Sequence, residues 1–167
     1  RYSSGQLFDW RFYFISQMGI NPKLASDFFC WFEDRLREIS LYRKKCLVLD
    51  LDNTLWGGVL GEDGIDGIKI GGDYPGKAFL YFQEGLLELA KRGVILTICS
   101  KNNERDVLDL WEKNPFVLLR KEHFSAWRIN WRNKADNIRE LSEELNIGLD
   151  SLVFVDDNPT ERELVRQ

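Results

Sequence analysis

Four acidic residues occupy the positions in this chain that are best suited to chemistry. Asp50 and Asp52 come directly after a short apolar run, and the adjacent pair Asp156 and Asp157 follows another run near the end of the sequence. Carboxylates that share one partly dry cleft repel one another and raise one another's pKa values unless a positive charge is present. A divalent cation together with a lysine, for which Lys134 is the candidate, would provide that charge.

A hard divalent cation suits such a cluster better than a transition metal does. The candidate ligands are all oxygens, and Mg²⁺ is the usual ion beside phosphate groups. The chain has 1 histidine, His123, and 3 cysteines whose spacing is unlike that of zinc ligands. We therefore expect Mg²⁺ rather than zinc.

The same residue types predict phosphoryl transfer. One carboxylate can attack phosphorus and form an aspartyl-phosphate, and a second carboxylate two residues later can protonate the leaving group and then activate water. Ser100 follows the apolar run 94–99, and its hydroxyl and the Lys134 ammonium can donate to phosphoryl oxygens. The substrate expected from this chemistry is a phosphorylated small molecule.

The elements that must position these residues alternate between strands and helices from Lys45 onward. The predicted strands are 46–49, 94–99, 116–119 and 152–155, and the predicted helices are 78–92, 103–111, 135–145 and a last one opened by Pro159. This alternation predicts an α/β fold, a Rossmann-like parallel sheet with helices on both faces. Ligands of such sheets bind beyond the carboxyl ends of the strands, so the polar clusters are expected to converge on one crevice.

A glycine-rich segment, 57–72, separates the first strand from the helix that follows it. It has room for a β-hairpin but not for a folded cap domain, and we expect the hairpin to be a flap over the substrate. Trp56 is placed in the flap, with core packing as the alternative, and Gly57 would let the backbone approach a ligand. The later stretch 71–77 has phosphate-loop spacing, but Ala78 stands where a Ser or Thr is needed, so it predicts a turn into a helix.

Residues 1–43 are predicted to be a helical appendage, and residues 44–167 the catalytic domain. Asn21 followed by Pro22 is typical of a helix start, and apolar residues then recur at helical spacing. The aromatic residues within 8–14 alternate along the chain, which leaves a strand and simple side-chain packing open.

The composition limits the possible partners and the cellular environment. A net charge of -4 and a sequence pI near 5.2 argue against a nucleic-acid or anionic-membrane surface. No apolar run approaches the roughly 20 residues of a membrane span. Three cysteines, an odd number, are typical of reduced thiols, so we expect a cytoplasmic protein.

In their order along the chain, the candidate residues resemble the four motifs of the haloacid dehalogenase superfamily: Asp50-x-Asp52-x-Thr54, Ser100, Lys134 and Asp156-Asp157. The resemblance implies that Asp50 is the nucleophile and that Asp52 is the general acid/base. It also implies that Thr54 and Ser100 bond to phosphate and that Lys134 steadies the phosphorylated state.

By the same resemblance, Mg²⁺ is held by Asp50, by the backbone carbonyl of Asp52 and by Asp156, with Asp157 bonding through water. Further contacts to substrate or phosphate are expected from neighbours of the motifs, namely Trp56, Gly57, Lys101 and Asn102.

A narrower resemblance is to the FkbH-like family of capless haloacid dehalogenase proteins. It rests on residues 50–64, 99–104, 133–137 and 155–159, and Trp56-Gly57-Gly58 is its most specific part. It implies a bacterial enzyme that takes a glyceryl group from a phosphorylated glycerate, removes phosphate and loads an acyl carrier protein for polyketide biosynthesis. The aromatic N-terminal segment resembles the tail of the esterase-like domain that precedes this domain in some members.

Cys99, beside Ser100, has two interpretations. The first is a small buried apolar residue, which is common for a free cysteine. The second is a thiol that carries the glyceryl group as a thioester before transfer.

The same residues leave three alternative functions to consider. A stand-alone phosphatase without acyl transfer is the close alternative. A non-catalytic scaffold is disfavoured by the intact motif residues. A phosphorylation switch is disfavoured by Asp52, because an acid/base there would speed hydrolysis of the phospho-aspartate.

Overall fold

The structure, a computed structural model, describes residues 7–17, 19, 21–39 and 44–166. The chain divides into two compact units, Arg1–Arg43 and Lys44–Gln167. Among the described residues, no helix combines the length and the hydrophobicity needed to cross a bilayer.

The first unit is helical in its described part. Helix α1 spans Trp10–Ser16, a 3₁₀ turn spans Pro22–Leu24 and helix α2 spans Ala25–Ile39. Asp9 Oδ1 accepts a hydrogen bond from the Arg11 N–H (3.0 Å), and Asn21 Oδ1 accepts one from the Lys23 N–H (3.1 Å), so each helical segment begins at a side-chain cap. The helix predicted after Asn21 is confirmed, and the strand considered for the aromatic residues within 8–14 is wrong.

The second unit contains, within the described residues, a parallel sheet of four strands in the order β3-β2-β1-β4. The strands are β1 Cys46–Leu49, β2 Ile95–Ser100, β3 Ala126–Ile129 and β4 Leu152–Val155. The helices are α3 Leu60–Gly67, α4 Gly76–Lys91, α5 Glu104–Lys113, α6 Lys134–Glu144 and α7 Pro159–Arg166, with 3₁₀ turns at Lys121–His123 and Leu149–Ser151. The predicted α/β fold with a parallel sheet is confirmed.

Successive residues of the central strands enter two different hydrophobic clusters. Leu49 and Ile98 belong to the larger cluster, together with side chains of α3, α4 and α5, whereas Val48 and Cys99 belong to the smaller one, together with Ile138 of α6. The sheet is therefore covered on both faces. A strand that is buried on both faces has no polar side to alternate with, which explains the continuous apolar runs in the sequence.

The third strand lies later in the chain than the sequence pattern predicted. The strand is β3, which pairs with β2, and residues 116–119 form an irregular segment instead. The backbone N–H groups of residues 118 and 119 both donate to Gln83 Oε1 at 2.9 Å, so they serve a side chain and not a neighbouring strand. β3 is an edge strand that contains Arg128, and its mixed polarity made it a weaker sequence signal.

The glycine-rich segment forms a helix and not the predicted β-hairpin. Helix α3 is interrupted at Gly64, whose φ is 70°, and an antiparallel bridge joins Gly57 and Lys69 with N···O distances of 3.0 and 2.7 Å. Apolar side chains of the helix, including Leu60 and Ile65, pack into the larger hydrophobic cluster. This burial offsets the low helix propensity of the glycines.

Helix α4 follows the turn predicted over 71–77 and carries a fully buried glutamine, Gln83. Its Nε2 donates to the Leu55 carbonyl oxygen at 2.7 Å, and its Oε1 accepts the two N–H groups of residues 118 and 119. The side chain thus connects the loop after β1, helix α4 and the irregular segment 116–119. A buried side chain whose oxygen and nitrogen are both hydrogen-bonded makes the position of the loop after β1 specific.

Replacing Gln83 with Leu is expected to lower the free energy of unfolding by roughly 2–4 kcal/mol, because three backbone groups lose their partners inside the core. Urea unfolding measures the difference. The matched control is Glu84→Leu at the exposed neighbouring position of the same helix, which should change the free energy by less than about 0.5 kcal/mol. Similar losses in both variants would contradict the role assigned to Gln83.

Candidate active site

The carboxyl ends of β1 and β4 place two aspartates beside one lysine. Asp50 and Asp156 directly follow strands whose last residues, Leu49 and Val155, are paired in register. The Lys134 ammonium lies 2.8 Å from Asp50 Oδ1 and 2.6 Å from Asp156 Oδ2. All three charged residues are buried, so the structure brings together groups that are far apart in the sequence.

Burial and charge act in opposite directions on this cluster. Desolvation raises the pKa of the Asp50 carboxyl, and this effect exceeds the lowering by Lys134 and by the Ser100 hydroxyl. Burial by itself lowers the pKa of the Lys134 ammonium, but Asp50 and Asp156 outweigh it, and the net shift of this pKa is upward. Lys134 therefore remains charged, whereas an ionised Asp50 is costly unless further positive charge is near.

Lys134 reaches the aspartates because it is the first residue of α6. Asn133 caps this helix, and its Oδ1 accepts the Ala135 N–H at 2.8 Å. A cation in the first turn is disfavoured by the helix dipole. The ion pairs with Asp50 and Asp156 compensate for this unfavourable position.

Two hydroxyl groups adjoin the charged cluster. Ser100, the last residue of β2, is buried and its hydroxyl bonds to Asp50. Within the described residues, two buried side-chain oxygens have no hydrogen-bond partner: Thr54 Oγ1 and Asp50 Oδ1, whose contact with Lys134 is an ion pair outside hydrogen-bond geometry. Buried polar atoms without any partner are rare, so Thr54 Oγ1 marks a place for a ligand.

Three aspartates could hold a cation at this edge of the sheet. One carboxylate oxygen from each of Asp50, Asp156 and Asp157 lies within 4.8 Å of the other two. Asp156 is oriented through its Oδ1, which accepts the Asn158 N–H at 2.8 Å, while Arg162 Nη1 donates to the carbonyl oxygens of residues 156 and 157. A set of oxygen donors of this kind fits the predicted Mg²⁺.

Asp52 is half-buried and its carboxylate accepts three hydrogen bonds. Oδ1 accepts the Trp56 Nε1–H and the Leu60 N–H, both at 3.0 Å, and Oδ2 accepts from Asn102 Nδ2 at 2.9 Å. The sequence predicted substrate or phosphate contacts for Trp56 and Asn102, but the structure places both side chains against Asp52.

The flap predicted for Trp56 is wrong. The indole is 0% exposed and belongs to the larger hydrophobic cluster, so it cannot close over a substrate. Gly57 is buried as well, and a Cβ at this position would lie 2.8 Å from Phe79 Cε2. Close packing against Phe79, and not the approach of a ligand, therefore requires this glycine.

Lys101, also predicted to contact phosphate, pairs with a residue that the sequence did not indicate. Its ammonium lies 2.5 Å from Glu161 Oε1 of α7, and the lysine side chain is partly exposed. The pair links the loop after β2 to the helix after β4. Because 60 positions separate the two residues, no local pattern could have shown the contact.

An open cleft of about 310 Å³ adjoins the aspartates. Its polar lining comes from Asn53, Thr54, Asp156 and Asp157, and its apolar lining from Val155 and from Ala78, Phe79 and Phe82 of α4. The sequence indicated that Phe79 and Phe82 share one side of a helix, but that spacing is equally typical of core packing, so the apolar wall was missed.

Cys99 is fully buried in β2, and its thiol donates to the Lys134 carbonyl oxygen at 3.6 Å. Burial raises the pKa of this thiol to about 12. Almost no thiolate forms at neutral pH under these conditions, and the thiolate is the reactive form. The placement agrees with the first interpretation, a small buried residue, and argues against the acyl-carrying thiol.

Iodoacetamide is expected to modify Cys30 in the native protein while leaving Cys46 and Cys99 unmodified. Cys30 is exposed, whereas burial covers the other two thiols and raises their pKa values. For Cys99, labelling should stay slow as the pH rises past the ordinary thiol pKa, because its own pKa is about 12. Peptide mass spectrometry after timed labelling, with a urea-unfolded sample as control, measures this. Equal labelling rates for Cys30 and Cys99 in the native protein would contradict the burial.

The chain is similar to a known protein family and to a solved structure of another protein. The sequence profile of the NLI interacting factor-like phosphatases matches residues 45–167. The crystal structure of the N-terminal part of the protein BF1531 from Bacteroides fragilis, described as containing a phosphatase domain complexed with Mg, is similar with a TM-score of 0.77 and 43% sequence identity. No curated protein matches the chain significantly.

The similarity to the Bacteroides structure covers 99% of this chain and 44% of that one, so this chain spans less than half the length of the solved protein. The haloacid dehalogenase-like core predicted from the motifs is confirmed by these similarities. The narrower FkbH-like resemblance stays a prediction.

Proposed function

The chain belongs to the NLI interacting factor-like phosphatase family, and on this premise we propose that it is a Mg²⁺-dependent phosphatase of small phosphorylated molecules. Asp50 is the proposed nucleophile, and Asp52 the proposed general acid/base. The roles assigned to Ser100, Lys134, Asp156 and Asp157 belong to the same proposal.

The observation that carries the proposal is the buried cluster of Asp50, Lys134 and Asp156. Two carboxylates share one ammonium at 2.8 and 2.6 Å, and desolvation still raises the pKa of the Asp50 carboxyl despite that charge. Such an arrangement adds little to the stability of the fold, because the desolvation of buried charges costs about as much free energy as their attraction returns. A cluster of this kind is better explained as a site prepared for a charged ligand.

Asp50, Asp156 and Asp157 are the side chains proposed to hold Mg²⁺, together with the backbone carbonyl of Asp52. The donor set is all oxygen, as this ion prefers, and the bound Bacteroides relative is described as complexed with Mg. When bound, the ion supplies positive charge that offsets the charge of the phosphoryl group.

The side chains of this chain account for the two chemical steps. An Asp50 carboxylate oxygen forms a bond to phosphorus, the bond from phosphorus to the leaving oxygen breaks, and Asp52 gives its proton to that oxygen. In the second step Asp52 takes a proton from water, the hydroxide oxygen bonds to phosphorus, and the bond to Asp50 breaks. Inorganic phosphate leaves, and Asp52 is again protonated.

Hydrogen-bond donors are available for the phosphoryl oxygens during both steps. The Lys134 ammonium and the Ser100 hydroxyl already contact Asp50, and the unpartnered Thr54 hydroxyl lines the adjoining cleft. Donors that are in place before the reaction lower the cost of developing charge in the transition state.

The cleft supports a small substrate. Its volume of about 310 Å³ lies at the lower end of the range for ligand pockets, and the cleft is open to solvent. Phe79 and Phe82 give one wall an apolar surface. We therefore propose that the group attached to phosphate is small and that it packs its carbon atoms against helix α4.

Phosphate release from a panel of phosphorylated metabolites tests the function directly. Release is expected with Mg²⁺, is expected to stop after treatment with EDTA, and should return when Mg²⁺ is added back. The metal-site control is Asp156→Asn, which keeps the shape of the side chain but removes one ligand charge and should raise the Mg²⁺ concentration needed for half-maximal rate by roughly 10-fold or more. Full activity in EDTA would refute the metal dependence.

The motifs also support the FkbH-like activity as a narrower proposal. In that activity the glyceryl group of a phosphorylated glycerate passes to the phosphopantetheine thiol of an acyl carrier protein, and phosphate is removed. Incubation with phosphorylated glycerates and a phosphopantetheinylated carrier protein would be followed by intact-protein mass spectrometry. A glyceryl adduct on the carrier would support this activity, whereas phosphate release without an adduct would support a stand-alone phosphatase.

A phosphorylation switch is the remaining candidate, and the lifetime of the phosphoprotein separates it from an enzyme. A phospho-aspartate that disappears within seconds after substrate removal fits an enzyme with Asp52 as its base. Persistence for hours would favour the switch.

A further inference from the structure

The Asp52 carboxylate is held from three directions. Trp56 donates from the end of the loop after β1, the Leu60 N–H donates from the start of α3, and Asn102 donates from the loop after β2. Both carboxylate oxygens accept hydrogen bonds from the protein. The side chain is thereby restricted to one orientation.

The two side-chain donors are unusually well suited to this task. Trp56 is 0% exposed and Asn102 is 3% exposed, so neither can bond to bulk water instead. A buried indole N–H that loses its acceptor is costly, which favours contact with Asp52. The indole ring is also fixed by its packing in the larger hydrophobic cluster, so the position of its N–H is set by the core.

From these contacts we propose that Trp56 and Asn102 are positioning residues, which hold Asp52 in the orientation needed for proton transfer to the leaving group. The inference rests on the proposed phosphatase function. Neither residue touches the substrate; each acts through Asp52. The arrangement couples the packing of the hydrophobic core to the alignment of the acid/base, and it gives Trp56 a role different from the predicted flap.

The physical reason is that a general acid works only when its proton lies within hydrogen-bond reach of the leaving oxygen. Misplacement of a catalytic group by about 1 Å can cost roughly 10²-fold in rate. Without the Trp56 and Asn102 donors, the Asp52 side chain regains other rotamers. The decrease in kcat/KM caused by removing a donor should therefore be larger for a leaving group that needs a proton than for one that does not.

Leaving groups of different basicity distinguish a positioning role from a merely structural one. The p-nitrophenolate ion leaves readily without a proton, whereas the alkoxide of an alkyl phosphate such as glycerol phosphate does not. The parameter to compare is kcat/KM, because it reports the first bond cleavage and not the later hydrolysis of the phosphoenzyme. A variant that only lowers the folded fraction reduces kcat/KM for both substrates by the same factor.

The test variant is Trp56→Phe, which removes the N–H and keeps an aromatic ring. With Mg²⁺ present, kcat/KM for the alkyl phosphate is expected to fall roughly 10- to 100-fold, while that for p-nitrophenyl phosphate changes by less than about threefold. The matched control is Trp111→Phe, the same change at another buried tryptophan of the larger cluster, which packs on Phe124. The control should leave the ratio of the two substrates unchanged.

Asn102→Ala provides a second variant that removes less core volume, and it should show the same selective loss. Asp52→Asn removes the acid itself, so its selective decrease in kcat/KM should be at least as large as that of either positioning variant. Adding Trp56→Phe to Asp52→Asn should then lower kcat/KM for the alkyl phosphate by less than about twofold more, because the donor acts through the side chain already altered.

Three outcomes test the positioning role separately from the proposed phosphatase function. Selective loss in both positioning variants, with no further loss in the double variant, supports the inference. Equal loss on both substrates, or additive losses in the double variant, overturns it while the phosphatase function stands. If the wild-type protein hydrolyses neither phosphate ester with Mg²⁺ and the other phosphorylated metabolites are also untouched, the proposed function fails, and the inference fails with it.

Discussion

Replacing Asp50 with Asn is expected to reduce Mg²⁺-dependent phosphate release by at least about 10⁴-fold, with the fold retained. A carboxamide is nearly the same size as a carboxylate, but it lacks the negative oxygen that would attack phosphorus, so no aspartyl-phosphate can form. Steady-state phosphate release measures the loss of turnover. Acid-quenched samples with labelled substrate measure the phosphoenzyme directly, and the label should be present in the wild-type protein and absent in the variant.

The same substitution separates function from stability. Burial raises the pKa of Asp50 above that of an exposed aspartate. The native state therefore holds this proton more tightly than the unfolded state does, and ionisation of Asp50 lowers the free energy of unfolding as the pH rises above the ordinary pKa. Asn carries no charge, so Asp50→Asn should unfold at neutral pH with a free energy equal to or above that of the wild type.

An exposed aspartate of the same domain serves as the control for Asp50→Asn. Asp109 pairs with Lys113 on the surface of α5, and Asp109→Asn should leave phosphate release unchanged. Normal turnover in Asp50→Asn would remove Asp50 from the role of nucleophile. A variant that is inactive because it has unfolded would be recognised by its circular dichroism spectrum.

Replacing Lys134 with Met is expected to lower both stability and activity. In the metal-free protein the free energy of unfolding at neutral pH should fall by roughly 3–5 kcal/mol, because two buried carboxylates lose the charge they share. Phosphate release should fall by roughly 10²–10³-fold, as for the loss of one donor to a developing negative charge. Urea unfolding and phosphate release measure the two effects.

The pH dependence of the Lys134→Met variant follows from the pKa of Asp50. Lys134 lowers that pKa against the larger effect of desolvation, so its removal moves the pKa of Asp50 further upward. Asp50 then takes up a proton at mildly acid pH and the repulsion from Asp156 disappears. The loss of stability relative to the wild type should therefore be greatest at neutral pH and should shrink as the pH falls through the raised pKa of Asp50.

Two controls sharpen the Lys134 experiment. Lys101→Met removes a partly exposed lysine from its pair with Glu161, and it should cost less than about 1 kcal/mol. Mg²⁺ should restore part of the stability of Lys134→Met, because a cation bound by Asp50, Asp156 and Asp157 replaces the lost charge. A loss that is the same with and without Mg²⁺, and the same at every pH, would show that charge neutralisation is not the role of Lys134.

Local sequence patterns were sufficient for most of the sheet. β1 and β4 were predicted at their observed bounds, because each is a continuous apolar run that ends abruptly in polar residues. The third strand was misplaced because β3 contains Arg128 and so lacks a continuous apolar run, whereas residues 116–119 are apolar for another reason. Burial of residue 117 and of residue 119 comes from packing and not from strand pairing.

The convergence of Asp50, Lys134, Asp156 and Asp157 could be expected from the order of the motifs and from the topology of parallel sheets. Each of these residues lies at the end of a strand or at the start of a helix, and parallel strands bring such positions to one edge. Chain order and element type therefore identify which residues meet. They do not indicate distances, hydrogen-bond partners or exposed fractions.

The surroundings of Asp52 and Lys101 depended on contacts that no sequence pattern encodes. A tryptophan before two glycines has the same sequence signature whether it covers a substrate or fills the core, and the structure buries it with its N–H on Asp52. The same holds for Lys101, whose partner Glu161 lies 60 positions away. The physical reason is that periodicity records which side of an element avoids water, a property of each segment, whereas the partner of a polar group depends on distances between segments that exist only after the chain has folded.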